Sequence, residues 1–213
     1  MLNITSPYPY KEFKRKSVNG KRLYENPYGE PVPSVTTILS KTKDMTHLNA
    51  WKKRVGEKKA QEIVTEAASV GTVMHEILEA WSLNQEYTGK NLLQAKMMAE
   101  TVIKNVEADI DEVWGSEVNL CYPGLYAGTT DLVGVYKGRP TIMDFKQTNK
   151  PKKRSGSTIT LCKLRLMVWH TTKCLVLRLN MRPSLCVVEI VIGNYGKWDQ
   201  RNLNNGKKNG QTG

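Results

Sequence analysis

A predicted β-hairpin between residues 127 and 146 constrains the fold of this chain more than any other segment. Two short apolar runs, at residues 132–135 and 142–143, flank a turn at Lys137-Gly138-Arg139. Short apolar runs rich in branched residues on either side of a glycine-containing turn are typical of two antiparallel strands. The sequence therefore predicts a hairpin whose first strand begins near Asp131 and whose second strand ends near Lys146.

Three charged residues occupy the open end of this hairpin: Asp131, Asp144 and Lys146. Because side chains alternate along a strand, Asp144 and Lys146 point to the same side. Two carboxylates can hold a hard divalent cation, and a nearby lysine can stabilise a phosphate or help to activate a water. The alternative is a solvated surface pair, but Asp144 directly follows the apolar residues 142–143. The pattern favours metal-dependent cleavage of phosphodiester bonds.

Two further segments carry candidate site residues. His75 and Glu79 are four residues apart in an apolar periodic segment, so on a helix they share a face. His75 could supply a nitrogen ligand to a metal, with Glu79 orienting it, or the two could form a surface pair. Glu117 precedes the apolar run 118–120, where it could bind metal, position a substrate or form a salt bridge at the rim.

The order of predicted elements indicates an α/β or α+β fold. Residues 1–33 are rich in proline, with a small hairpin expected near residues 22–29. Ser34 is a candidate N-cap for a short helix. Further helices are predicted at 48–68, 71–81 and 91–113, and a strand begins at 118. Helices followed by strands favour a sheet covered by helices in one domain.

The composition fits a globular protein of 213 residues with 39% hydrophobic and 24% charged residues. No apolar run approaches the length of a membrane span, and the N-terminus lacks a secretory pattern, so we expect a cytoplasmic protein. The four cysteines, Cys121, Cys162, Cys174 and Cys186, show no metal-ligand spacing and are expected to be free thiols.

The positive charge is concentrated in the C-terminal segment. The net charge of +12 invites a nucleic-acid interpretation. However, residues 151–213 contain 12 of the 32 basic residues and only two of the 20 acidic residues, Glu189 and Asp199. The excess therefore belongs almost wholly to the last 63 residues, and the composition changes near Ser155.

Taken in order, the motifs resemble those of the PD-(D/E)xK nuclease superfamily, in its RecB-type exonuclease branch. The matching pieces are Gly71-x-x-x-His75-x-x-x-Glu79, Glu117, Gly128-x-x-Asp131 and Asp144-Phe-Lys146. Upstream, Pro33-Ser34-Val35 and Leu48-x-x-Trp51-Lys52-x-Arg54 are similar to segments of mitochondrial genome maintenance exonucleases and related phage exonucleases. The resemblance covers roughly residues 30–153.

This resemblance implies a restriction-endonuclease-like core, with a central mixed sheet flanked by helices. It implies that Asp131 and Asp144 bind Mg²⁺ or Mn²⁺, with His75 as an additional ligand. Lys146 would stabilise the attacked phosphate or the water, and Glu117 would assist. The implied substrate is DNA, often cut at single-stranded ends, and a phage-encoded protein would act in the host cytoplasm.

The chain departs from the family after Lys146. The RecB-type pattern continues with a helix carrying Gln-x-x-x-Tyr, whereas residues 155–186 contain no Gln, no Tyr and no acidic residue. Codons compatible with this segment can encode such a helix in a shifted frame. We therefore expect a nuclease-like domain at residues 1–154 and an atypical basic tail at 155–213, which we expect to be translated out of the ancestral frame and poorly ordered. The alternative is a divergent basic segment.

The predicted function is a metal-dependent DNA exonuclease, impaired if the altered C-terminus removes contacts to DNA. The alternative is a non-catalytic DNA-binding protein that retains the nuclease-like fold. Intact Asp131, Asp144 and Lys146 favour the enzyme, while the missing helix favours lost activity. A nucleic-acid-binding module that depends on its basic tail is a third reading, based on charge alone.

Overall fold

The computed structural model describes residues 1–19, 21–25, 29–41, 44–122, 124–148, 186–193 and 199–202. The strands are β1 (Arg15–Val18), β2 (Lys21–Tyr24), β3 (Val32–Pro33), β4 (Ile110–Tyr122), β5 (Tyr126–Tyr136), β6 (Arg139–Thr148), β7 (Cys186–Gly193) and β8 (Asp199–Asn202). The helices are α1 (Val35–Ser40), α2 (Thr46–Val55), α3 (Glu57–Ser82) and α4 (Leu93–Val106), and a 3₁₀ turn at Glu107–Asp109 follows α4.

The strands form two sheets in the described part of the chain. A small antiparallel sheet has the order β1-β2-β3. The main sheet has the order β4-β5-β6-β7-β8 and is mixed, because β6 and β7 run parallel while its other neighbours are antiparallel. The predicted α+β class and the mixed central sheet are confirmed.

One face of the main sheet is covered by α3 and α4. The buried residues of α3 follow helical spacing at Val70, Val73, Met74 and Leu78, which gives the helix one apolar stripe. The larger core cluster joins that stripe to buried residues of α4 and of the sheet, including Met98, Val102, Val106, Val113, Leu132, Met143 and Phe145. This packing fixes α3 against β4 and β5, which carry the predicted site residues Glu117 and Asp131.

The opposite face is covered by the N-terminal segment rather than by a described helix. Tyr8 and Tyr10 pack on a cluster that contains Trp114 and Val133. The Tyr8 and Trp114 rings meet edge to face with centroids 5.5 Å apart. The proline-rich start of the chain therefore contributes to the core, although it has little regular structure of its own.

The predicted hairpin is present as β5 and β6. Tyr136 pairs with Arg139 across the turn, and both central residues have positive φ, 51° at Lys137 and 72° at Gly138. Two positive φ angles are typical of the type I′ turn, which matches the twist of antiparallel strands and favours glycine. The amide of Gly138 donates to Asp111 Oδ2 at 2.7 Å, which fixes the turn to the start of β4.

The helix predictions are confirmed in part. The segments predicted at 48–68 and 71–81 form α2 and one continuous helix α3, separated at Gly56, where φ is 89°. The helix predicted at 91–113 is wrong beyond Val106, because β4 already begins at Ile110. Ile110 and Val106 are both buried at helical spacing, so the sequence pattern continues, but pairing of Ile110 with Tyr136 takes residue 110 into the sheet.

The N-terminal predictions have a mixed outcome. β2 and β3 form the expected small hairpin, although its turn residues 26–28 lie outside the described residues. Helix α1 begins directly after Ser34, as predicted. The Ser34 side chain does not cap a backbone amide, and its hydroxyl bonds Thr36 Oγ1 at 2.6 Å instead.

Two described strands come from beyond the predicted boundary at residue 154. β7 and β8 extend the main sheet next to β6. The other tail residues lie outside the described residues, so the domain boundary and the frameshift hypothesis stay predictions. The side chains of Cys162, Cys174 and Cys186 lie outside the described set, so the expectation of free thiols stays a prediction. None of the helices that the structure describes is long and apolar enough to span a membrane.

Candidate active site

Three acidic residues lie in one row across three neighbouring strands. Ser116 pairs with Leu132 and Val118 pairs with Thr130, which places Glu117 of β4 across from Asp131 of β5. The β5–β6 ladder runs as far as Leu132 and Met143. If the same pairing continued by one residue, Asp131 would lie directly opposite Asp144. The sheet therefore gathers Glu117, Asp131 and Asp144, which the sequence separates by up to 27 positions.

Side-chain hydrogen bonds replace the regular ladder at this row. The amide of Phe145 donates to Asp131 Oδ2 at 2.6 Å. The hydroxyl of Thr130 donates to the carbonyl oxygen of Met143 at 3.1 Å. Like charges directly opposite each other destabilise a sheet, so an end of regular pairing before Asp131 and Asp144 is physically consistent. β5 and β6 remain connected where the two carboxylates meet.

His75 reaches the same row from helix α3. Its Nδ1 atom lies 3.5 Å from Asp131 Oδ2, and its side chain is partly buried. The neighbouring Met74 and Leu78 are buried in the core, which holds this part of α3 against the sheet. Among the described residues, no hydrogen bond or ion pair joins His75 to Glu79. No contact therefore supports the prediction that Glu79 orients the His75 imidazole.

His75, Glu117 and Asp131 form a group able to hold a metal ion. Each offers one ligand atom, and these atoms lie within 4.8 Å of one another. Oxygen ligands lie about 2.1 Å from Mg²⁺, so opposite ligands of one ion are about 4.2 Å apart. The three side chains fit one small divalent cation after minor adjustment. Sequence reasoning expected Asp144 in this set, whereas the grouped atoms include Glu117 instead.

The backbone at Glu117 is in an uncommon conformation. Its φ is 47°, in the left-handed region that residues with a side chain adopt at a cost of about 1–3 kcal/mol. Ser116, the preceding residue, donates from its hydroxyl to the carbonyl oxygen of Asp131 at 3.3 Å, and Val118, the following residue, is buried. These contacts on either side hold Glu117 in the row next to Asp131.

Asp144 and Lys146 form an ion pair at the end of β6. Asp144 is fully buried, and its Oδ2 contacts Lys146 Nζ. Lys146 Nζ also donates to the carbonyl oxygen of Phe145 at 3.3 Å, and 31% of the Lys146 side chain is exposed. The pair confirms that the two side chains share one side of the strand. A buried carboxylate thus holds a partly exposed ammonium beside the acidic row.

The site disfavours negative charge on Asp131. Burial raises the pKa of this carboxyl above its ordinary value, and the charge of Asp144 raises it further. His75, Lys146 and the Phe145 amide oppose the rise without cancelling it. A carboxylate that is crowded by another carboxylate would be relieved by a cation, which agrees with the ligand set.

Several hydroxyl groups that support the site were missed by sequence reasoning. Ser82 at the end of α3 is buried, and its hydroxyl lies 2.7 Å from that of Ser116. The Thr129 hydroxyl lies 3.2 Å from Tyr24 Oη and donates to Asn119 Oδ1 at 2.9 Å. The two threonines directly before Asp131 were the available signal. No spacing in the sequence pointed to the serines.

Comparison with known proteins gives one relationship of moderate extent. No protein-family model matches the sequence. The chain is 29% identical over 138 residues to human mitochondrial genome maintenance exonuclease 1, a match that covers 60% of this chain and 40% of the relative. The chain therefore matches less than half of the length of this relative. The similarity supports a relationship between this chain and a nuclease.

Proposed function

We propose that this protein is a metal-dependent DNA exonuclease of the PD-(D/E)xK type, in the RecB-like branch. The observation that carries the proposal is the row of Glu117, Asp131 and Asp144 across three strands, with His75 on one side and Lys146 on the other. The similarity to a protein named as an exonuclease supports the reaction class. DNA, and in particular its single-stranded ends, is the proposed substrate.

The metal-holding part of the site consists of His75, Glu117 and Asp131, with Asp144 adjoining. A nitrogen ligand with carboxylate oxygens suits Mn²⁺, and the carboxylates also suit Mg²⁺. When bound, such a cation lowers the pKa of a water ligand and neutralises charge on a phosphate. His75 and Asp131 orient each other across 3.5 Å, so the helix and the sheet share the ligand set.

Lys146 is the residue proposed to contact the phosphate. Its ammonium is held by Asp144 but stays partly exposed, so a phosphate oxygen can approach it. A fixed positive charge stabilises the charge that develops on the attacked phosphate, and the removal of one such donor typically slows a reaction by about 10²–10³-fold. Because the carboxylate of Asp144 is buried, the ammonium is placed before the substrate arrives.

The test is release of nucleotides from end-labelled DNA. Linear single-stranded, linear double-stranded and circular DNA are incubated with the full chain and Mg²⁺, Mn²⁺ or EDTA. We expect release from linear substrates with either metal, no release in EDTA and none from circles. The Asp144→Ala and Lys146→Ala variants should both be inactive. Metal-dependent release that survives both substitutions would overturn the assignment of the site.

The same assay separates the enzyme from a non-catalytic relative. A chain that binds DNA in a filter assay but releases no nucleotide with either metal would support the DNA-binding alternative. The altered tail gives a reason to include this arm, because residues 155–186 contain no Gln, Tyr or acidic residue. If a frame-repaired chain regained activity, the frameshift hypothesis would gain direct support.

A further inference from the structure

The peptide groups on both sides of Asp144 are anchored by β5. The carbonyl of Met143, which precedes Asp144, accepts a hydrogen bond from Thr130 Oγ1 at 3.1 Å. The amide of Phe145, which follows Asp144, donates to Asp131 Oδ2 at 2.6 Å. Thr130 and Asp131 are consecutive in the chain, so two adjacent side chains hold the backbone of Asp144 from either end.

We infer that Thr130 is a positioning residue, whose hydroxyl holds β6 so that Asp144 and Lys146 face Asp131 in the catalytic arrangement. This inference rests on the proposed function. Thr130 touches neither the proposed metal nor the substrate, and it acts through the backbone of Met143. Of the two anchors, it is the one that does not use a proposed metal ligand.

The buried position of Thr130 directs its hydroxyl to the carbonyl oxygen of Met143. Thr130 is fully buried in β5, so water does not compete for the bond to Met143. The regular β5–β6 ladder has already ended at Leu132 and Met143. An apolar residue of the same shape at 130 would preserve packing and remove this bond, because valine replaces the hydroxyl with a methyl group. On the β5 side, only the Asp131 carboxylate would then hold Asp144, while the parallel ladder with β7 would still hold the other edge of β6.

Loss of this anchor should affect the chemical step more than the binding of DNA. Lys146 sits two residues after Asp144, so a shift of β6 displaces its ammonium from the attacked phosphate. Displacement of a catalytic group by about 1 Å can slow a reaction by about 10²-fold. Contacts that bind the rest of the DNA would be unchanged, so KM should stay close to that of the wild type.

The experiment compares Thr130→Val, Thr130→Ser and Thr141→Val in the full chain. Nucleotide release from linear DNA is measured with Mn²⁺, and folding is followed by thermal denaturation. Thr141 is a matched control, because it is also buried and its hydroxyl also donates to a backbone carbonyl, that of Arg139 at 2.8 Å near the turn of the hairpin. We expect kcat of Thr130→Val to fall by about 10–100-fold, with KM within about twofold of the wild type.

Restoration of kcat by Thr130→Ser tests whether the hydroxyl group itself is needed. Thr130→Ser keeps the donor and should restore kcat to within about threefold of the wild type, while Thr141→Val should keep full activity. An active Thr130→Val would overturn the inference and leave the proposed function intact. Equal losses in Thr130→Val and Thr141→Val, or failure of Thr130→Ser to restore the rate, would also overturn it. An inactive wild type would overturn the proposed function and, with it, this inference.

Discussion

His75 Nδ1 lies 3.5 Å from Asp131 Oδ2, and this contact joins helix α3 to the acidic row of the sheet. The same Asp131 oxygen accepts the amide of Phe145 from β6. One carboxylate therefore connects a helix and two strands. Because α3 is packed against the sheet through Met74 and Leu78, the position of the imidazole is set by the core rather than by a surface loop.

The first prediction concerns metal affinity. His75→Leu keeps a helix-forming side chain of similar size but removes the ring nitrogen. Loss of residues that only orient a ligand costs about 10–100-fold in metal affinity, and loss of a ligand should cost at least as much. Titration of the purified chain with Mn²⁺ by calorimetry measures this change. His47→Leu on the exposed side of α2 is the control and should bind Mn²⁺ like the wild type.

The second prediction is that Asp131→Asn stabilises the metal-free protein. The raised pKa of Asp131 shows that its charged form is disfavoured in the folded state. Asparagine removes the repulsion from Asp144 and can still accept the Phe145 amide. We expect a gain of about 1 kcal/mol at neutral pH, or about 2–4 °C in melting temperature, measured by thermal denaturation in EDTA.

The pH dependence of the stability difference between Asp131→Asn and the wild type is the control for this prediction. The pKa of Asp131 in the folded state lies above its ordinary value of 3.8. The wild type therefore loses stability as the pH rises from the ordinary pKa to the folded-state pKa. The advantage of Asp131→Asn should therefore be small near the ordinary pKa and grow towards neutral pH. A variant that is less stable than the wild type at neutral pH in EDTA would contradict the electrostatic account. Added Mn²⁺ should reverse the order, because it binds the wild-type carboxylate.

The third prediction separates Lys146 from the other lysine of the hairpin. Lys146→Gln should lower kcat by about 10²–10³-fold while Mn²⁺ affinity remains close to that of the wild type. Lys137→Gln is the matched control, since Lys137 also forms an ion pair, with Asp109 at 3.0 Å, but at the turn end of the hairpin. Comparable losses of kcat in both variants would point to a general effect of charge and count against a specific role for Lys146.

The parts of the site that are local in sequence could be predicted from it. The hairpin of β5 and β6 follows from two apolar runs around a glycine turn, and the shared side of Asp144 and Lys146 follows from strand alternation. The helix that carries His75 follows from the apolar stripe of its segment, and the spacing of His75 and Glu79 singles out this histidine. In each case a periodicity of a few residues determines the geometry.

The long-range parts could not be predicted in the same way. The position of Glu117 opposite Asp131 depends on the β4–β5 register, and register shifts near Ile110 and Val113 alter that register. Such bulges have no clear pattern in a single sequence. The bond from Thr130 to Met143 likewise depends on where the β5–β6 ladder ends. These features arise from pairing between strands, which local periodicity does not encode.

The last prediction tests the bulged region of β4 through Gly134. A Cβ atom at this position would overlap the carbonyl oxygen of Glu112 and lie 3.1 Å from its carbonyl carbon and 3.3 Å from Val113 Cα. All three are backbone atoms, so the strand itself must shift. We expect Gly134→Ala to lower the free energy of unfolding by about 3 kcal/mol, measured by urea denaturation.

Gly138→Ala is the comparison, because a Cβ there meets no atom within 4 Å and the cost arises from a φ of 72° alone. That cost should be about 1 kcal/mol. If Gly134→Ala proved no more destabilising than Gly138→Ala, the close approach of β4 and β5 at the bulge would be wrong, and with it the register that places Glu117 beside Asp131.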